Sequence, residues 1–294
     1  MIWTNIDTWI SVTAALIATA CVIPGIFLFL SRQSMLSHGL AHAVLPGIVI
    51  AFLIHHHRDM GSMLIGAIIA GVITGILTRF IENTGHVESG ASLGIVFTSL
   101  FAFGIVLMRL FADFAHIEPS HVLYGSLEMS ILADGTPPNI TIRSAIIALC
   151  NMLALVIFFK EIKLATFDPD LAASLGFKPR LIHYGIMSIT ATTAVIAFES
   201  VGSILVVAMM IAPPATAYLL TKNLKKLILI SFSIAASTAF LGHFFSIQLY
   251  GKIISFLFGF ESRGSTNTAG GIAIISSVLF ILVILIKRKR QPIL

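Results

Sequence analysis

Long apolar stretches separated by short charged segments run the length of the chain. Nine stretches contain no Asp, Glu, Lys or Arg, and most reach the roughly 20 residues that a helix needs to cross a bilayer. A charge in the middle of a bilayer is costly, so this spacing predicts nine transmembrane helices. Eight is the main alternative, if one stretch enters and leaves the membrane on the same side. The stretches are Thr8–Ser31, Gln33–His57, Met60–Thr78, Ser89–Met108, Ser144–Phe159, Leu181–Phe198, Ser200–Thr221, Leu227–Gly251 and Gly264–Ile286.

The composition leads to the same fold class. Hydrophobic residues make up 57% of the 294 residues and charged residues 11%, less than half the roughly 25% of a soluble domain. The mean hydropathy is +1.01. We therefore predict an all-α polytopic membrane protein with about nine (eight to ten) transmembrane helices, which form a single transmembrane domain, residues 1–294. A soluble enzyme is excluded.

The distribution of positive charge predicts the orientation. Lys and Arg are enriched in cytoplasmic loops of membrane proteins. Counted back from a cytoplasmic C-terminus over nine spans, thirteen Lys and Arg residues fall on the cytoplasmic side and five on the outer side, so the N-terminus is predicted to face outward. The net charge of +5 is explained by this topology, and no nucleic-acid partner is expected. Membrane lipid is expected to surround the protein. The five outer residues are Arg58, Arg109, Arg143, Lys252 and Arg263.

A pair of histidines inside the second stretch is the first candidate site. His38 and His42 are four residues apart, so both imidazoles point from one face of a helix and can bind one divalent cation. Pro46 and Gly47 follow one turn later and are predicted to break the helix, as happens where membrane-protein backbone lines a cavity. The alternative is a structural role, in which each histidine bonds to a neighbouring helix.

Other polar residues near the predicted membrane surfaces are weaker candidates for handling metal. Glu88 lies in the predicted cytoplasmic loop before the fourth span, and Glu199 lies at the outer turn between the sixth and seventh spans. His121 belongs to a polar outer connection that also holds Asp113, His116 and Glu118. Each of these residues is equally compatible with an ordinary solvated loop. The same alternatives apply to the outer loop His55–Asp59.

Two cytoplasmic segments are candidates for contact with a partner protein. Pro213 and Pro214 are predicted to end the seventh span, and a basic turn follows them. Asp168 and Pro169 open a short predicted helix that stops at Gly176, with Asp168 as its N-cap. The residues of the first segment that we assign to partner coupling are Pro213, Pro214, Thr221, Lys222, Leu224 and Lys225.

Two absences from the sequence narrow the function further. The chain has no G-x-x-x-x-G-K-[ST] sequence and hence no phosphate-binding loop for ATP. The segment from His38 to His42 lacks the Glu of an H-E-x-x-H zinc protease, which argues against an intramembrane metalloprotease. Both absences argue against an ATPase or protease activity carried by this chain itself.

Four ordered motifs along the chain resemble those of the ABC-3 family, the membrane permeases of ATP-binding-cassette importers for manganese, zinc and iron. Family members resemble G-D-A-L-S-H-A-V-L-P-G at Ser37–Gly47 and D-x-A-x-G-I-x-F at Gly90–Phe97. They also show F-D-P-x-x-A-x-x-L-G at Phe167–Gly176 and V-G-x-x-L-V-V-A-x-x-I-x-P at Val201–Pro213. The resemblance covers almost the whole length of the chain.

The resemblance implies a function, a fold and a set of partners. The protein is expected to be the permease subunit of an importer in the bacterial inner membrane, with a fold like that of type II importers such as the vitamin B12 importer. Expected partners are a cytoplasmic ATP-binding subunit that hydrolyses ATP, an extracytoplasmic metal-binding protein, and a second permease copy or paralogue. The metal ion is cargo, and no cofactor of the chain's own is expected. The alternatives are a standalone proton-coupled metal carrier and an ABC permease for a metal chelate such as a siderophore.

The chain departs from the family at two carboxylates. The Asp of the first motif is His38 here, and the Asp of the second motif is Gly90, while the family's His is kept as His42. Imidazole nitrogen suits zinc and iron better than manganese, which prefers oxygen ligands. The departures therefore point toward zinc or iron, or toward a second, non-identical permease that supplies the oxygen ligands.

Overall fold

In a computed structural model the chain is all-α over the residues that it describes, which are 3–55, 60–111, 127–132, 138–249 and 267–290. Most helices are long, and their order follows the sequence prediction. They are α1 (Asn5–Leu30), α2 (Met35–Ala43), α3 (Leu45–His55), α4 (Met60–Gly85), α5 (Ser89–Phe111), α6 (Leu127–Leu132), α7 (Asn139–Ile157), α8 (Phe159–Phe167), α9 (Pro169–Ser174), α10 (Pro179–Leu220), α11 (Leu224–Phe244), a π-helical turn (Phe245–Leu249) and α12 (Thr268–Arg290).

Nine helical segments of the described chain are long and apolar enough to cross a membrane, as the charge spacing predicts. Some of these spans do not coincide with a single helix. The span Met35–His55 combines α2 and α3, and α10 contributes two spans, Pro179–Phe198 and Ser200–Leu220. The many exposed apolar side chains on these helices are those expected of surfaces that face lipid.

The predicted break in the second span is present, but it lies at Val44 rather than at Pro46 and Gly47. Pro46 is the second residue of α3, where its missing N–H costs little. Its ring is incompatible with the carbonyl one turn earlier, so the helix is interrupted on the N-terminal side of the proline. The proline ring is held in place by close packing against Gly104 of α5.

The long helix α10 bends at one residue and continues past two prolines. Gly202 has φ 77°, a left-handed conformation that a side chain would strain, and it lies near the start of the second of the two spans that α10 contributes. Pro213 and Pro214 do not end the seventh span as predicted, because α10 continues to Leu220. Both prolines are buried inside the helix. The Thr216 hydroxyl donates a hydrogen bond to the carbonyl of Ala212 at 2.7 Å.

The short cytoplasmic helix predicted after Phe167 is confirmed as α9. The Asp168 carboxylate accepts a hydrogen bond from the backbone N–H of Leu171 at 2.9 Å and so caps the helix. Pro169 is the first helical residue. Gly176, at φ 87°, follows the helix and allows the chain to turn away.

The chain divides into two compact units. The first contains residues 1–26, 121–150 and 197–294, and the second contains residues 27–120 and 151–196. In the first unit α11 packs on α12, with Gly242 against Ile272, and Gly25 of α1 lies against the carbonyl of Met210 in α10. These close approaches depend on glycine because any side chain would meet backbone atoms.

The second unit is built around α4. One face of α4 crosses α3, where Gly66 and Gly47 lie against each other's carbonyl groups. On α4, Gly71 and Gly75 contact Ala191 and Met187 of α10. A hydrogen bond from the side-chain amide of Asn151 to the Thr193 hydroxyl, at 2.8 Å, ties α7 to α10 within the same unit.

A polar cluster joins four helices of the first unit. His243 of α11 is 2% exposed, and its Nδ1 lies 2.9 Å from the Thr268 hydroxyl of α12, while its Nε2 lies 3.4 Å from the Asp7 carboxylate of α1. The backbone N–H of Thr268 donates to the Glu128 carboxylate of α6 at 2.8 Å. The indole of Trp3 packs edge-on against the His243 ring, with 5.6 Å between centroids. These contacts hold the start of α1 to the end of α11 and the start of α12.

Candidate metal site

His38 and His42 lie side by side on α2, as their spacing predicts. Their ring centroids are 4.9 Å apart and the rings are nearly perpendicular. A ligand nitrogen lies about 2.0–2.1 Å from a bound zinc ion, so rings at this separation are close enough to share one ion. His38 is exposed and His42 is half-buried. The pair therefore presents two neutral nitrogen ligands at the surface of a predicted transmembrane span.

Two phenylalanines of α5 flank the histidines, and the sequence analysis did not single them out. Phe97 lies 6.0 Å from the ring of His38 and 6.4 Å from that of His42, and Phe101 lies 5.2 Å from His42, measured between centroids. Close packing of Gly39 on Leu93 brings α2 and α5 together here. Their spacing in the sequence indicates that both side chains lie on one face of α5, because residues 97 and 101 are four apart.

In the part of the chain that the structure describes, the pair does not form a complete metal site. Among the described residues, no group of three or more His, Cys, Asp or Glu side chains is placed to hold an ion. Protein zinc sites ordinarily use three or four ligands. The pair alone would supply two ligands, and its metal role stays a prediction.

The apolar groove beside the helix break is separate from the histidines. It has a volume of about 570 Å³ and is lined by residues of α3, α4 and α5, including Pro46, Ile50, Ile69 and Phe103. Neither histidine lines it. The break therefore borders a cavity, as predicted, but the cavity is apolar and is not the metal site.

Of the weaker candidates Glu88, His121 and Glu199, only Glu88 has a described side chain, and it does not join the pair. Glu88 is exposed immediately before α5, and nine residues of helix place it about 13 Å along the axis from Phe97. Glu199 lies in α10 before Gly202, and its side chain is among those that the structure does not describe. His121, like Asp113, His116, Glu118 and residues 56–59, lies outside the described residues. The metal roles of Glu88, His121 and Glu199 stay predictions.

The predicted coupling turn lies between α10 and α11. The Asn223 side chain caps α11 by accepting from the backbone N–H groups of Lys225 and Lys226 at 3.0 and 3.4 Å. The Lys222 ammonium lies over the Tyr218 ring, 4.1 Å from its centroid. Lys222 and Lys225 are exposed, whereas Leu224 and Thr221 are half-buried.

Comparison with known proteins identifies the family. The model of the ABC 3 transport family matches residues 5–287, nearly the whole chain. The chain belongs to the ABC 3 transport family. The family predicted from the four motifs is therefore confirmed.

Two relatives and one solved structure are similar over most of their length. The manganese transport system membrane protein MntD of Bacillus subtilis is 36% identical over 83% of this chain and 85% of its own. The zinc transport system membrane protein TroD of Treponema pallidum is also 36% identical, over 94% of this chain and 72% of its own. The structure of PsaBC from Streptococcus pneumoniae in complex with Fab superposes with a TM-score of 0.73 at 28% identity, covering 95% of this chain and 91% of that one.

Family membership confirms the broad predictions made from the sequence. The protein is an all-α permease subunit of an ABC transporter and a multi-pass protein of the bacterial inner membrane. Its relatives are named for manganese and for zinc at the same level of identity, which agrees with the predicted class of cargo. The metal role of His38 and His42 stays a prediction.

Proposed function

We propose that this permease moves a divalent transition metal ion into the cytoplasm past His38 and His42. The observation that carries the proposal is the pair of adjacent imidazoles on one face of α2, inside a span otherwise free of charged residues. Ionisable side chains inside a membrane ordinarily mark an ion pathway. Imidazole nitrogens replace water around the ion, so that the ion crosses the apolar region without losing its ligands.

We propose that the remaining ligands come from a second permease, either a copy of this chain or a paralogue. His38 is exposed, so the pair is accessible to a neighbouring chain. Two pairs brought together by a two-fold axis give four nitrogen ligands, which satisfies zinc. An extracytoplasmic metal-binding protein delivers the ion, which is cargo and not a cofactor of the chain.

We also propose that the two compact units belong to one transmembrane permease domain, residues 1–294. The division between the units falls inside three continuous helices, α1, α7 and α10. A domain boundary ordinarily falls in an exposed linker, where few contacts cross. The division therefore marks two parts of one domain.

The ion preference of the site can be tested by restoring the family's oxygen ligand. His38→Asp should keep transport active and shift selectivity toward manganese over zinc by about tenfold, because a carboxylate oxygen suits manganese and an imidazole suits zinc. The measurement is uptake of each metal by the complex with its ATPase in liposomes. His38→Asn, which keeps a similar shape without the negative charge, is the matched control. Unchanged selectivity in His38→Asp would show that His38 does not contact the ion.

We propose that a separate cytoplasmic chain hydrolyses ATP and that α9 is the main surface at which this ATPase docks. The basic turn predicted from the sequence is the second candidate. Three apolar side chains of this segment, Phe167, Leu171 and Leu175, are 58%, 45% and 61% exposed. Their segment is on the predicted cytoplasmic side and outside the spans, so lipid does not account for the exposure. An exposed apolar cluster outside the membrane is typical of a protein interface. In the basic turn, by contrast, Leu224 is half-buried.

Matched substitutions on the two surfaces distinguish them. Leu171→Asp should uncouple ATP hydrolysis from metal uptake and weaken ATPase association by about tenfold or more, because a charge would be buried in the interface. Leu224→Asp should have a smaller effect. The measurements are co-purification with the ATPase and uptake in liposomes, with membrane insertion of each variant as the control. If Leu224→Asp uncouples transport and Leu171→Asp does not, the basic turn that includes Thr221, Lys222 and Lys225 is the coupling surface.

A further inference from the structure

A second cavity, of about 850 Å³, lies in the second unit on the predicted cytoplasmic side. It is formed by the turn after α1, the end of α4, the inner face of α9 and the start of α10. Neither His38 nor His42 lines this cavity. The proposed metal pathway therefore leaves this cavity without a role.

Positive charge dominates the lining of the cavity. Arg79, Lys178 and Arg180 line it, and the only carboxylate among the described lining residues is that of Asp170. Lys178 and Arg180 are exposed and Arg79 is half-buried. Arginine and lysine side chains recognise phosphate, with the guanidinium fork able to donate two parallel hydrogen bonds to one phosphate group. The charge thus favours an anion with several oxygen acceptors.

Two buried polar atoms in the same lining lack partners. Among the described residues, neither Nε2 of His183 nor Oε1 of Gln33 has a hydrogen-bond partner, although both atoms are buried. Both residues line the cavity, and the Arg79 charge acts on the His183 ring. Buried polar groups are ordinarily satisfied. A phosphate oxygen would accept from His183 when its proton is on Nε2, whereas Oε1 of Gln33 is itself an acceptor and needs a donor instead.

Apolar residues continue the cavity toward the membrane. Leu181, Ile182 and Ile186, on the first turns of a transmembrane span, also line it, and Leu181 is 61% exposed. Phe80, next to Arg79, is 63% exposed. A cationic rim beside exposed apolar side chains at the end of a span matches a molecule with a phosphate head and a hydrocarbon tail. Basic pockets between helices on the cytoplasmic side bind lipid head groups in this way.

We propose that this cavity binds the phosphate of an anionic phospholipid, with Arg79 and Arg180 as its main contacts and the acyl chains along Leu181 and Phe80. The proposal does not depend on the metal site. It uses the face of α9 that carries Asp170 and Ala173, whereas the proposed ATPase surface carries Leu171. The apolar part of the lining distinguishes a lipid from free phosphate, since only a lipid has acyl chains that contact it.

Lipid binding to the full-length protein in detergent tests the proposal by native mass spectrometry. Phosphatidylglycerol should bind more tightly than phosphatidylcholine with the same acyl chains, and excess inorganic phosphate should not displace it. The double variant Arg79→Gln/Arg180→Gln should lose about tenfold or more in affinity for phosphatidylglycerol, the size expected for lost charge-assisted hydrogen bonds. Lys163→Gln, which removes an exposed charge of α8 outside the cavity, should bind as the unmodified protein does.

A gain of affinity guards against a variant that is merely misfolded. Asp170→Asn removes the one carboxylate of the described lining and should strengthen binding of phosphatidylglycerol severalfold. Equal affinity for the two lipids, or an unchanged affinity in the double variant, would overturn the proposal. Displacement by inorganic phosphate would show that the cavity binds a free anion and not a lipid. Loss of ATPase association without loss of lipid binding in the double variant would assign the cavity to a protein partner instead.

Discussion

Replacing His42 with Ala should lower metal uptake by about 100-fold or more, because the change removes one of the two ligands that we propose the chain supplies to the ion. The effect on folding should be small, since His42 is half-buried and its contacts with described residues are to the rings of His38, Phe97 and Phe101. An alanine is well tolerated in a transmembrane helix. Uptake of zinc and manganese by the reconstituted complex, at matched protein levels, is the measurement.

His55→Ala is the matched control for this prediction. His55 is exposed at the end of α3, and its Nδ1 lies 3.1 Å from the carbonyl of Ala51 in its own helix. Losing this imidazole should leave uptake within about twofold of the unmodified protein, as expected of a surface substitution. Normal transport by His42→Ala would show that the histidine pair is structural and that the ion takes another route.

Replacing Gly66 with Val should prevent the crossing of α3 and α4 and should reduce the amount of folded protein. Even a single added Cβ at Gly66 would overlap the carbonyl oxygen of Gly47, and one added at Gly47 would overlap that of Gly66. Backbone cannot move aside as the end of a side chain can. Overpacking of this kind costs about 1–3 kcal/mol or more.

The measurement for the crossing is thermal stability of the purified permease, with Gly66→Ala as the milder member of the series. Gly185→Ala is the control, because nothing lies within 4 Å of a Cβ added there. The order of stability should be Gly185→Ala, then Gly66→Ala, then Gly66→Val. Equal stability of all three would mean that α3 and α4 are farther apart than the structure places them.

The number of spans was predictable because a charge excludes a residue from the middle of a membrane helix, and this rule acts on each stretch separately. The capped helix α9 was predictable for a similar reason, since Asp168, Pro169 and Gly176 act within a few residues of each other. The prolines were predicted less well. Their effect depends on the helix around them, and Pro213 and Pro214 are accommodated inside α10 where the sequence predicts an end.

The candidate site was predictable only in part. The i, i+4 spacing of His38 and His42 fixes their common face, and the structure places the rings together. The contribution of Phe97 and Phe101 depends on the packing of α5 against α2, which is a contact between distant parts of the sequence. Likewise, the sequence pointed to a cavity at the helix break, but only the packing of α3, α4 and α5 shows that its lining is apolar.

The cluster around His243 has a practical consequence for handling this protein. Trp3 and Thr4 belong to this cluster, at the start of α1. The N–H and hydroxyl groups of Thr4 donate to the Asp7 carboxylate at 2.8 and 2.6 Å. An affinity tag or fluorescent protein fused at that end would be held directly beside it. Fusion at the opposite end, beyond the exposed Lys289 of α12, leaves these contacts alone and is the better choice for purification and for labelling in cells.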